Sequence, residues 1–302
     1  VHSTGAVNPR LSDIDRGDCF LYCKRNLGYD FGSWAVGIHA IAELLGEVQE
    51  LVLLNDSIVT LMPDITGIFK AMRKRGADLV GLTDSYERAY HLQSYFLQFG
   101  PRICQSSLLQ VFMAKYPFSP EKDVAIKEGE IGISRFFLEQ GFTVKALYPY
   151  ERIAGTWIKK VPQLVRAIED LPTFDISRGN SDGSKSCRSH LLEKLESIAS
   201  SVINGTPLNP VHFFWDVLAR EFGHPFLKRE FVLLNPGEVP TYFQLAELLD
   251  ALPTELQLNI LEIRQIYGGN RVPFITARQD SQSASAVRLP RSGTARGGAL
   301  VA

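Results

Sequence analysis

The chain has 302 residues, 45% of them apolar and 22% charged, and a formal net charge of -1. That balance excludes a disordered chain and a binder drawn to nucleic acid by net charge, and the length suffices for one large or two modest domains. No apolar run reaches the length of a transmembrane helix, and the four cysteines (Cys19, Cys23, Cys104, Cys187) lack zinc-site spacing and fit a reducing compartment.

Residues 1–18 are polar, with turn formers such as Asn8-Pro9. Cys19–Cys23 reads as a short strand and Asn26–Asp30 as the loop after it. Trp34 to Leu45 has the apolar spacing of a helix, with Trp34, Ile38, Ile41 and Leu45 on one face. Leu51–Leu54 is an apolar run read as a buried strand that stops in Asn55-Asp56-Ser57. A helix is predicted over 65–75, a strand over 78–82, a polar loop over 83–88 and a strand over 94–99. Helices over 106–115 and 131–140 follow, the second stopped by Gly141, and a last strand covers 142–147. This alternation predicts an α/β layer architecture with a mostly parallel, mixed sheet. Residues 1–172 form the expected main domain. Residues 173–190 read as a flexible linker or loop, 191–276 as a helical extension with helices over 191–202, 213–221 and 242–252, and 277–302 as a disordered tail.

Five segments carry groups suited to chemistry, each with a structural alternative. Asp56 ends a strand, where an acid can hold a divalent cation or merely cap the next turn. In the loop 26–30, Gly28 can take positive φ beside a ligand, and Asp30 can bond a ribose or base or cap the following helix. His91, Gln93 and Ser94 precede a strand and can contact a diphosphate or acceptor hydroxyls, or simply be hydrogen-bonded. Glu128 and Glu130 stand ahead of a helix. Either carboxylate can favour the helix dipole, and Glu130, beside the apolar helix start, is the expected general base. His212-Phe213-Phe214-Trp215 and Pro225-Phe226-Leu227-Lys228-Arg229 combine aromatics with cations, as core packing or as a sugar and phosphate contact.

The order of these motifs resembles the rhamnan synthesis protein F family over roughly residues 19–237. Asn26-Leu27-Gly28-Tyr29-Asp30-Phe31-Gly32-Ser33-Trp34, Leu53-Leu54-Asn55-Asp56-Ser57, Gly81-Leu82-Thr83-Asp84-Ser85 and His91-Leu92-Gln93-Ser94-Tyr95-Phe96-Leu97 carry it. Glu130-Ile131-Gly132-Ile133-Ser134, Asn209-Pro210-Val211-His212 and Pro225–Glu230 continue it. The resemblance implies a GT-A-like glycosyltransferase of bacterial polysaccharide assembly. Its implied donor is a nucleotide-sugar such as dTDP-rhamnose, and its acceptor a lipid-linked glycan at the inner membrane face. The location is then cytoplasmic or peripheral on that face, with no nucleic-acid partner. The implied roles are Asp56 as ligand of a Mg²⁺ or Mn²⁺ ion, Asn26, Gly28, Asp30, Asn55 and Ser57 as donor-binding, and Glu130 as catalytic. His91, Gln93, Ser94, Lys228 and Arg229 are assigned to acceptor or diphosphate.

Two departures from the family pattern stand out. Val59–Pro63 replaces a Gly-Pro after Asn-Asp-Ser, and little precedes Cys19, so a first strand–helix unit is expected to be missing upstream of Val1. The alternative function is a truncated transferase domain that binds glycan or a partner. A pyrophosphorylase is disfavoured because the chain has no Gly-rich basic phosphate loop.

Overall fold

A computed structural model describes residues 24, 25, 27–171 and 187–267. The expected strand over Cys19–Cys23, Asn26, most of the 173–190 loop and the tail lie outside the described residues; residues 187–190 open a helix.

The strands are β1 (Leu51–Leu54), β2 (Ile58–Thr60), β3 (Leu79–Ser85), β4 (His91–Leu92), β5 (Phe96–Phe99), β6 (Val144–Tyr148) and β7 (Phe226–Lys228). The helices in the first half are α1 (Tyr29–Ala40), α2 (Thr66–Lys74), α3 (Pro101–Cys104), α4 (Leu108–Lys115), α5 (Lys122–Val124), α6 (Gly132–Glu139) and α7 (Tyr150–Glu169). The second half adds α8 (Cys187–Ile203), α9 (Pro210–Phe213), α10 (Trp215–Glu221), α11 (Arg229–Leu234), α12 (Leu245–Asp250) and α13 (Thr254–Tyr267).

The architecture is α/β, a mixed sheet between helices, as a GT-A-like fold requires. Its main sheet runs β1-β5-β3-β4, with β6 also on β3. The proportion of parallel pairing differs from expectation. β3–β6 is parallel, while β1–β5, β3–β5 and β3–β4 are antiparallel. A short connection explains this. The segment joining β3 to β4 is too short for a parallel crossover, which needs a dozen residues or more, so the chain returns antiparallel to β3 through β4 and on into β5. All of β3 is buried, so it is the central strand; β1 is half-exposed.

Helices cover both faces. Phe31, Trp34 and Ile38 of α1 join Leu109, Phe112, Ile133 and Phe137 on one face. Met72, Ile153, Trp157, Ile198, Phe214 and Leu218 pack on the other. Burying each such side chain stabilises by roughly 1.5–3 kcal/mol before chain entropy is counted. A third cluster unites Val59 and Leu61 with Leu227, Phe231, Val232, Tyr242 and Ile260. Among the described residues, no helix is long and apolar enough to cross a membrane.

Several elements depart from the periodicity reading. The helix expected over 34–45 begins at Tyr29 and ends at Ala40, because Gly28 in the left-handed region starts it and Gly32 lies against the loop. A side chain at Gly32 would place its Cβ 2.2 Å from the Leu27 carbonyl oxygen. Helix α7, 20 residues with Pro162 inside it, has no counterpart among the predicted elements. The polar run over 83–88 is no loop at its start, since β3 continues through Thr83, Asp84 and Ser85.

Candidate functional site

The carboxyl end of β1 gathers residues from four distant segments. Strand β1 stops at Leu54, and the next three residues turn into β2. Asn55 holds that turn: its Oδ1 accepts from both the backbone N–H and the hydroxyl of Ser57. Its Nδ2 donates to Asp30 Oδ2 at 2.8 Å, tying the turn to the first turn of α1. The Trp34 indole N–H donates to the Leu54 carbonyl at 3.3 Å, a second tie between the same elements.

Gly28 is the αL residue ahead of α1, and its carbonyl accepts from the Tyr116 hydroxyl at 3.0 Å. It shapes the loop that delivers Asp30. Burial pushes the Asp30 carboxyl up, the charge of Asp56 pushes it further, and the Asn55 amide and Lys228 pull it back.

Strand β2 pairs antiparallel with β7 in the register Ile58↔Lys228, Val59↔Leu227 and Thr60↔Phe226. That pairing sets Lys228 and Arg229 against the turn. Lys228 Nζ donates to Ser57 Oγ at 2.9 Å and stands 5.2 Å from the Tyr95 ring centroid. Burial lowers the Lys228 pKa, and Glu130, Asp30 and Glu230 act to raise it. Arg229 bonds the turn twice: its N–H donates to the Ser57 carbonyl at 2.8 Å, and Nη1 to Asp56 Oδ2 at 3.0 Å. The Asp56 side chain is 83% exposed.

Glu130 completes the set. The expected place ahead of a helix is corrected: Glu130 lies within a π-helical stretch, Ala125–Ile131, that runs into α6. Such widened turns recur at functional sites because they re-aim side chains. Glu130 Oε1 accepts from the Ser94 N–H at 2.7 Å and from its hydroxyl at 3.0 Å. Oε2 lies 4.0 Å from His91 Nε2, whose other ring nitrogen contacts the Ala89 carbonyl. Glu128, the other acid of the pair, instead faces Lys127 at the surface.

Gln93 is not brought to this cleft. It is buried, with Oε1 accepting from Thr83 and Nε2 donating to Asn209 Oδ1. Thr83 also meets the Tyr95 hydroxyl, which bonds His224 Nε2. Phe214 and Trp215 are core residues, and His212 is a half-buried neighbour of Lys228, pushed down to about 4 by burial and then by that lysine. Asn26 lies outside the described residues.

Tyr95, Asn209 and His224 support the site; the first two stood out in the sequence only as parts of longer motifs, and His224 did not stand out at all. A cavity of about 450 Å³ lined by Glu50, Met72, Arg73 and Gln98 contains none of the site residues.

The family profile of "Rhamnan synthesis protein F" matches residues 11–166, just over half of the chain. The chain belongs to this family. The family is, by its description, one associated with rhamnan synthesis. Among curated proteins, the chain is similar to "Uncharacterized protein y4gN" of Sinorhizobium fredii (strain NBRC 101917 / NGR234), 28% identical over 155 residues. That match covers 48% of this chain and 40% of the relative. It is also similar to "Virulence protein VirA" of Vibrio anguillarum, 24% identical over 234 residues, 76% of this chain and 67% of the relative. The chain thus spans well under half of the Sinorhizobium protein. No solved structure matches it.

Among the described residues, no group of three His, Cys, Asp or Glu side chains is placed to hold a metal. Asp56 already has a guanidinium on Oδ2, and Lys228 holds the adjacent serine. With Asp56 engaged by Arg229 and Lys228 alongside, the described residues build no protein cage for a resident Mg²⁺ or Mn²⁺, and the two cations repel one.

Proposed function

We propose that this rhamnan synthesis protein F family member is a glycosyltransferase of bacterial cell-surface polysaccharide assembly. It moves a sugar, with dTDP-rhamnose the first donor to try, onto a lipid-linked glycan at the cytoplasmic face of the membrane. The observation that carries this reading is the meeting of Asp30, Asp56, Glu130 and Lys228 at one strand end, where open α/β folds bind ligands.

Glu130 takes the proton from the acceptor hydroxyl. Ser94 occupies its Oε1 with two hydrogen bonds, which fixes the carboxylate and leaves Oε2 to act as the base. His91 Nε2, 4.0 Å from Oε2, is near enough to help orient an acceptor hydroxyl brought to that oxygen. The acceptor oxygen forms a bond to the anomeric carbon of the donor. The bond from that carbon to the diphosphate breaks, and its electron pair leaves on the diphosphate. Asp30 and Asn55, bonded to each other beside Gly28, are suited to ribose hydroxyls. Ser57 lies between that pair and Lys228.

The test is turnover of dTDP-rhamnose with a rhamnan-type lipid-linked acceptor. Glu130→Gln, which keeps the acceptor for Ser94, is expected to lower turnover by roughly 10²–10⁴-fold with unchanged thermal unfolding. Near-parental turnover in this variant sinks the assignment. Glycan binding without any turnover by the parent chain favours a binding module instead.

A further inference from the structure

The acid at the end of β1 is paired within the chain before any substrate arrives. Arg229 grips the Asn55–Ser57 turn through its backbone N–H and its guanidinium, and the guanidinium rests on Asp56. Lys228, one residue earlier, reaches Ser57 from the other side. Neither cation is placed by chance rotamers alone. The β2–β7 ladder fixes the backbone of Lys228 opposite Ile58, and the Leu61 N–H to Pro225 carbonyl bond at 2.7 Å extends the pairing. The Tyr95 ring backs the ammonium, and Tyr95 is itself fixed by Thr83 and His224.

The surroundings of Lys228 are acidic. Glu130, Asp30 and Glu230 all favour its charged form against burial. An ammonium held among carboxylates occupies the electrostatic place of a bound cation. Ser57 takes one of its three donors, and the guanidinium of Arg229 presents a planar fork suited to a phosphate. A divalent ion on Asp56 would have to share that carboxylate with Arg229 and stand beside Lys228, and both repel it.

We propose that Lys228 and Arg229 supply the positive charge that binds a nucleoside diphosphate at this strand end, in place of a divalent metal ion. Asp56 is the counter-ion of Arg229 and yields the guanidinium to the phosphate when nucleotide enters. This inference rests on the transferase reading above and replaces its expected cofactor by two residues of the chain.

The experiment is calorimetric titration of dTDP and of UDP into the full 302-residue chain, in EDTA and in Mn²⁺. The dissociation constants in the two buffers are expected to agree within about threefold. Lys228→Met, which keeps the aliphatic stem, is expected to weaken binding by about 30-fold in both buffers. Arg229→Gln, at a more accessible side chain, weakens it in both as well and carries the test if the lysine variant does not fold. Asp56→Asn separates the possibilities most sharply. Release of the guanidinium is expected to tighten binding in both buffers, whereas a metal ligand lost at that position abolishes it. Binding that needs Mn²⁺ and disappears in Asp56→Asn overturns this inference and leaves the transferase reading standing. No nucleotide binding in either buffer overturns both.

Discussion

Strand β1 runs into the turn Asn55-Asp56-Ser57 and strand β3 ends in Thr83-Asp84-Ser85, at the same edge of one sheet, and the two aspartates live in opposite surroundings. Asp56 projects into solvent, with its charge met by Arg229. Asp84 is buried to 4% exposure, and its Oδ1 accepts the N–H of Tyr150, the first residue of α7. Burial pushes the Asp84 carboxyl up to about 6, and the bond from Tyr150 restrains that rise. One acid is an exposed counter-ion of Arg229; the other accepts from the first N–H of a helix and holds it on the sheet. An apolar run closed by Asp-Ser therefore does not mark a ligand site by itself. What packs over the strand end decides.

The largest expected effect falls on the open end. Gly32→Ala drives a methyl into the Leu27 carbonyl, which cannot move without unwinding the start of α1. A loss of roughly 3 kcal/mol is expected in urea unfolding, at the upper range for overpacking. Amide exchange should rise at Ser57, whose N–H depends on Asn55 and so on Asp30, and stay unchanged at Tyr150. Equal exchange changes at both ends would show that the two are not separate units.

A smaller effect is expected at the closed end, and it depends on pH. The Asp84 pKa in the fold lies above the unfolded value of 3.8, so its contribution to stability is fully present below about pH 4 and is lost as pH rises through about 6. Asp84→Asn keeps the acceptor for Tyr150 without the charge. At pH 8 it is expected to be more stable than the parent by about 1–3 kcal/mol, with the difference shrinking towards pH 4. Urea titrations at the two pH values read this directly, and a difference independent of pH would refute the burial of a charge. The smallest effect belongs to Asp56→Asn, expected within about 0.5 kcal/mol of the parent because its pair with Arg229 is solvent-exposed on the aspartate side.

Much of the site was legible as parts. Asp30, Asn55, Asp56, Ser57, Ser94, Glu130, Lys228 and Arg229 each stood out by residue type beside a turn or a strand end. Their pairings did not. Asn55 meets Asp30 across 25 residues of chain, and Lys228 meets Ser57 across 171. Strand β2 went unread for the same reason. Ile58-Val59-Thr60 is β-branched, but its partner β7 lies far along the sequence. Apolar adjacency favoured Glu130 over Glu128 in the sequence, while the π-helical turn that aims Glu130 at Ser94 has no periodicity to reveal it.

The sequence by itself determined the α/β class, the family and most element positions, because apolar periodicity and turn residues are local signals. Only the tertiary structure decided that the sheet is largely antiparallel, that α7 exists, and that two cations rest on the strand-end turn. Those outcomes depend on which distant segments pair and on what then covers each charge. Burial and partner, not residue type, set whether an aspartate is a cap, a ligand or a counter-ion.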